Sequence, residues 1–172
     1  MKAATLLVLV CLAAALPAQG AEVRTLGRFG AWTAYLTRED EGPVCYAATG
    51  ALDSVGRRAG GRAAPMLLVS NRPAAGEKNV ISVSHGTAFA DDSPALLAIG
   101  KSTFRFATAG ETAWSGDAGE TARAIAAMKR GHVLKVTAKT RAGGRTADTY
   151  SLNGFTRALG AIDGACGRRK RK

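Results

Sequence analysis

A mainly β, antiparallel fold is predicted for this chain: a β-sandwich or barrel-like sheet with one inserted helix and a short C-terminal helix. Three observations predict it. Apolar and polar residues alternate over short runs, and glycine- or proline-containing turns separate those runs at intervals of about ten residues. Only two stretches change to the i, i+3, i+4 spacing of a helix face.

Taken in order, Phe29 to Thr37 predicts a first strand, with Trp32, Ala34 and Leu36 on one side. A charged turn over Arg38 to Pro43 leads to a second strand, Val44 to Thr49, in which Cys45 and Ala47 share a face. Gly50 to Ala64 reads as a basic, mobile loop carrying Arg57, Arg58 and Arg62. The run Met66-Leu67-Leu68-Val69 is too short for a helix between its breakers and predicts a central strand buried on both faces. Asn79 to Ser84 alternates with Ile81 and Val83 inward, and His85-Gly86 follows as a turn. Leu96 to Ile99 and Thr103 to Thr108 form the next hairpin, with Phe104 and Phe106 inward and Arg105 outward.

Asp117 and Glu120 stand as N-cap and N3 of a capping box, followed by an apolar stripe of Ala122, Ile125, Ala126 and Met128 and closed by Gly131. His132 to Ala138 resumes the strand pattern, with Leu134 and Val136 inward and Lys135 and Lys139 outward. The turn Arg141 to Arg145 returns the chain into a strand ending at Tyr150 and Leu152. Asn153 is placed to cap a last helix with Phe155, Ala158, Leu159 and Ile162 on one face, and Gly164 to stop it.

Residues 1–20 read as a secretory signal peptide: Lys2, an apolar run from Ala3 to Ala15, and a small-x-small cleavage site at Ala18-Gln19-Gly20. That run is about a dozen residues, short of the roughly 20 that span a bilayer, which argues against a retained anchor. Residues 21–167 are then one domain and 168–172 a basic tail. An exported chain meets an oxidising compartment, and two of the three cysteines, Cys45 and Cys166, lie in the mature part. They are expected to pair, the alternative being two free buried thiols. Closing a loop of about 120 residues stabilises a fold by about 4–5 kcal/mol on the chain-entropy argument.

The formal net charge of +11 falls by one when Lys2 leaves with the leader. Arg168, Arg169, Lys170, Arg171 and Lys172 carry much of the remainder. With Arg57, Arg58 and Arg62 they are the candidate anion-binding residues. The partner class that suits them is anionic envelope components, lipid phosphates or other polyanions, or else another envelope protein; the alternative is a solvated positive face and tail with no partner. Nucleic acid is disfavoured, because no aromatics are interleaved with the basic stretches.

Catalytic and metal motifs are thin. The two histidines, His85 and His132, are far apart in the chain, and no CxxC pair, GxSxG elbow or P-loop occurs. A site assembled from His85, Asp91 or Asp92 and a serine is the one hydrolase alternative; Asp91-Asp92 otherwise reads as a hydrated loop. No cofactor, metal site or catalytic residue is assigned. Trp32 and Trp114 read as core residues.

Four segments carry a family resemblance: Trp32 with Val44-Cys45-Tyr46-Ala47; RAAPMLLVSNRP from Arg62 to Pro73; Ala113-Trp114 before the helix ending AMKRG; and DTYSLNGFTRAL from Asp148 to Leu159. Over most of the mature domain the chain resembles the invasion-associated locus B family of secreted alphaproteobacterial proteins. The resemblance implies an exported, β-rich envelope protein, periplasmic or secreted and in one variant associated with the outer membrane. It carries over no catalytic residues, and the expectation is a non-enzymatic role in binding or structure, with surface display and host interaction as the alternative. The basic end beyond Cys166 is an addition to the family pattern.

Overall fold

In the computed structural model, residues 22–56 and 62–167 are described. The expected leader, the tail 168–172, Arg57 and Arg58 lie outside them. Eleven strands form one antiparallel sheet: β1 (Arg24–Phe29), β2 (Trp32–Glu39), β3 (Gly42–Gly50), β4 (Asp53–Val55), β5 (Met66–Arg72), β6 (Glu77–Ser84), β7 (Ala95–Ile99), β8 (Ser102–Ala109), β9 (Thr112–Trp114), β10 (Val133–Lys139) and β11 (Arg145–Ser151). Two helices complete it, α1 (Ala118–Arg130) and α2 (Phe155–Gly167). The spatial order is β1-β2-β3-β5-β6-β9-β8-β7-β10-β11-β4.

The sheet turns two corners. Along β8, Ser102 to Phe106 pair with β7, whereas Ala107 to Ala109 pair with β9. The second corner follows β3, where Ala51 N–H bonds to Pro65 O at 3.2 Å and the next amide, Leu52 N–H, bonds to Thr149 O at 2.7 Å. Two halves therefore face each other as in a sandwich, but β1 and β4 remain as free edges among the described strands, so the barrel does not close.

Strand parity fills the space between the halves. Ala34, Ala47, Val69 and Ile81 are linked by successive cross-strand pairings and are all fully buried. From the other half come Leu97, Phe106, Leu134, Val136 and Tyr150. Removing that much apolar side-chain surface from water is the main driving force for the fold. The inward and outward expectations for Phe104, Arg105 and Phe106, and for Leu134, Lys135 and Val136, match the structure.

Several elements depart from expectation. Phe29 ends β1 instead of opening β2, with a tight turn at Gly30-Ala31 between them. The segment read as a basic loop contains β4, which pairs with β11. β5 is buried mainly on one face, through Leu67 and Val69. Trp32 is core, but Trp114 on β9 is 37% exposed.

In α1, the Asp117 side chain accepts from Glu120 N–H at 2.8 Å, as the capping pattern predicts. Glu120 does not complete the reciprocal bond; its carboxylate accepts from the Arg105 amide at 3.1 Å. The buried stripe is Thr121, Ala124, Ile125, Ala127 and Met128, so Ala122 points to solvent.

All four residues predicted for the buried face of α2 are buried. Its ends differ from expectation. The first helical bond is accepted by Gly154 O from Ala158 N–H at 3.0 Å, so Gly154, not the Asn153 side chain, sits at the entrance. Gly154 has φ 90°, and a Cβ there would lie 1.7 Å from Phe29 O. Only glycine lets the β1–β2 turn pass this close. At the other end α2 runs through Gly164 to Gly167. Ala161, Ala165 and Cys166 pack on the core there, and tertiary contact overrides the low helix propensity of glycine.

Candidate functional site

Two groups of side chains stand out against this apolar interior: the covalent fastening of α2 and a buried polar cluster on β11. Cys45 and Cys166 form a disulfide with Cα atoms 5.9 Å apart, across 121 residues of sequence. Cys45 is fully buried. Beside it, Asn71 Nδ2 donates to Asp163 Oδ1 at 2.9 Å, and Asn71 Oδ1 accepts from Asn79 N–H at 2.7 Å. The last helix is therefore tied to β3 by a covalent bond and to β5 by a hydrogen bond.

The polar cluster arises from the same alternation that builds the core. Thr146, Asp148 and Tyr150 occupy the inward positions of β11, opposite Ala138, Val136 and Leu134 of β10. Two residues from other parts of the chain cover them. Arg62, ahead of β5, turns inward, and its Nη2 contacts Asp148 Oδ1. Gly86 makes room for that segment: its φ is 73°, and a Cβ would stand 2.1 Å from Ala63 O. Ala63 N–H also donates to Gly86 O at 3.1 Å.

His85, expected in an open turn, is fully buried and stacks on Phe89 with centroids 4.3 Å apart. Its Nδ1 lies 3.0 Å from Thr87 O and its Nε2 lies 2.6 Å from Thr146 Oγ1. A carbonyl can only accept, so Nδ1 carries the proton and Nε2 accepts from the threonine hydroxyl. Burial lowers the histidine pKa below its ordinary value; the nearby Arg62 acts in the same direction, while the Thr87 carbonyl, Asp148 and Glu111 oppose it. The neutral ring suits both hydrogen bonds. Tyr150 is raised by burial and by Asp148, with Arg62 opposing, so its phenol stays protonated.

Three buried polar atoms here have no hydrogen-bond partner among the described residues: Arg62 Nη1, Asp148 Oδ2 and the Tyr150 hydroxyl. Leaving such a group unsatisfied typically costs about 1–3 kcal/mol. A hydroxyl bonded to a histidine is half of a nucleophilic site. In this protein, however, the pair is sealed, with Thr146 4% exposed, and a backbone carbonyl occupies the place of an orienting carboxylate. Burial favours the neutral His85 ring and the protonated Tyr150 phenol.

The predicted site residues are not brought together. Arg62 belongs to the interior, which corrects its assignment to an anion-binding surface: its guanidinium is spent on Asp148, with 4% of the side chain exposed. Arg57, Arg58 and Arg168 to Lys172 lie outside the described residues. Asp91 pairs with Arg141 at 2.5 Å on the surface instead of approaching His85. Among the described residues no three His, Cys, Asp or Glu side chains gather as metal ligands. Asp148 went unread in the sequence, although its parity with Tyr150 and Leu152 was a usable signal: a carboxylate in phase with core residues requires a buried partner. No family model, curated protein or solved structure matches this chain.

Proposed function

We propose that this protein is exported and acts in the cell envelope by binding or as a structural component, not by catalysis, in the manner its resemblance to the invasion-associated locus B family implies. The Cys45–Cys166 bridge carries the reading, because a disulfide closing most of a domain persists in an oxidising compartment and is rare in the cytosol. The signal-like residues 1–20 fit the same destination. Anionic envelope components are the partner class that fits the net charge of +11.

The test is fractionation of cells making the full chain, followed by intact-mass measurement with and without reductant. Recovery outside the cytoplasm, with a gain of two protons on reduction, is expected. A cytoplasmic protein with both thiols free overturns the reading.

A further inference from the structure

The outer face of the β7-β10-β11 half gathers exposed cations and exposed apolar side chains. Its outward positions fall in cross-strand rows. One row runs Arg105, Leu96, Thr137, Ala147 and Val55; the next places Lys139 directly opposite Arg145; a third contains Lys135. Arg105, Lys135, Lys139 and Arg145 are all exposed, and none takes part in an ion pair among the described residues. Asp53 is the one carboxylate in these rows, across from Thr149, and Glu120 reaches only the backbone amide of Arg105.

Like charges directly opposite on neighbouring strands repel, and among the described residues neither Lys139 nor Arg145 has an ion-pair partner. Between these cations lies an open groove of about 570 Å³, with Leu96, Ala147 and Val55 along its floor and rim. Two of the five large hydrophobic side chains exposed among the described residues lie on the same face: Val55 at 60% and Val133 at 47%.

Cations that lack partners and apolar side chains that lack cover, on one side of one sheet, are what a peripheral membrane face requires. The geometry points to this face as a docking surface for an anionic phospholipid bilayer, with lipid phosphates at Arg105, Lys135, Lys139 and Arg145 and with Val55 and Val133 entering the interface. Nucleic acid satisfies the charges but leaves the apolar side chains in water, and the rows offer it no aromatic ring to stack on. The inference rests on the exported, envelope-binding reading and supplies its partner.

The test uses the full oxidised chain and two kinds of sedimented vesicle, phosphatidylcholine alone and phosphatidylcholine with about one-third phosphatidylglycerol. Binding to the anionic vesicles only, weakening with salt, is expected. Each cation near such a surface contributes about fivefold in affinity, so Lys139→Glu with Arg145→Glu is expected to weaken binding by roughly thirtyfold or more. That variant keeps a like-charge pair in the same register, and an unchanged thermal midpoint checks its fold. Val55→Ser with Val133→Ser is expected to weaken vesicle binding while leaving retention on heparin intact.

Three results overturn the proposal: no binding to the anionic vesicles; full binding by the charge-reversed variant, which assigns affinity to residues 168–172 or elsewhere; or equal binding of vesicles and duplex DNA with no effect of the Val55 and Val133 changes. An exported, oxidised protein that ignores vesicles removes this inference alone. A reduced cytoplasmic protein removes the reading beneath it.

Discussion

Arg62 and Asp148 meet with 4% and 0% of their side chains exposed, whereas Arg141 and Asp91 meet with 58% and 73% exposed. The chemistry of the two pairs is the same; the solvent is not. The exposed pair is screened by water and salt and has to order two mobile side chains, so its net contribution is about 0–1 kcal/mol. The buried pair gave up its hydration to form, and its attraction has to offset that loss before it stabilises anything. It also sits beside His85 and Tyr150, whose protonation it influences. An ion pair therefore says little about stability until its surroundings are known.

The sharpest way to break the contrast is to remove one buried partner. Asp148→Ala is expected to cost about 3–5 kcal/mol in urea denaturation, because Arg62 is left charged and unpaired in the interior. Replacing both residues, Arg62→Leu with Asp148→Leu, is expected to recover most of that loss. Equal destabilisation by single and double changes shows that packing, not charge, holds the segment.

His85 links the buried pair to pH. Its folded pKa lies below the ordinary value of 6.5, so the unfolded chain takes up a proton first as pH falls. The stability held by neutral His85 is complete above about 6.5 and is lost as pH falls from there toward the folded pKa. The urea midpoint is expected to drop between pH 7.5 and pH 5.5, and His85→Gln is expected to flatten that drop. An identical slope in the variant assigns the acid sensitivity to other groups.

Tyr150→Phe removes a buried hydroxyl that has no partner among the described residues, and a change within about 1 kcal/mol is expected. A loss of several kcal/mol means that the hydroxyl has a partner, such as an ordered internal water. Smallest of all, Arg141→Ala is expected to move the midpoint by no more than about 0.5 kcal/mol, and still less at high salt.

Much of the framework was legible because local patterns carried it. Phe104-Arg105-Phe106 and Leu134-Lys135-Val136 state their own faces by alternation, and Phe155, Ala158, Leu159 and Ile162 state a helix stripe. Three-residue strands such as β4 and β9 lack the length to show a period; their pairing with β11 and with β6 and β8 defines them. The direction of Arg62 could not be read locally at all. Nothing near it in sequence distinguishes it from Arg57 or Arg58, and its partner lies 86 residues away. Asp148 was the better clue, since its parity is local even though its partner is not. Asn153 carries the ordinary N-cap signal, whereas the constraint on Gly154 is the passing backbone of Phe29, a contact made only in three dimensions.

The Cys45–Cys166 bridge also imposes an order in time. Cys45 is synthesised 121 residues before its partner, an interval of roughly 6–24 s at ordinary elongation rates. Until the later residues follow, the Cys45 thiol has no helix over it. The native bond requires α2 to be docked beside β3. Pulse-labelling with a thiol-alkylating reagent would thus read the state of this one bond as a clock for completion of the domain.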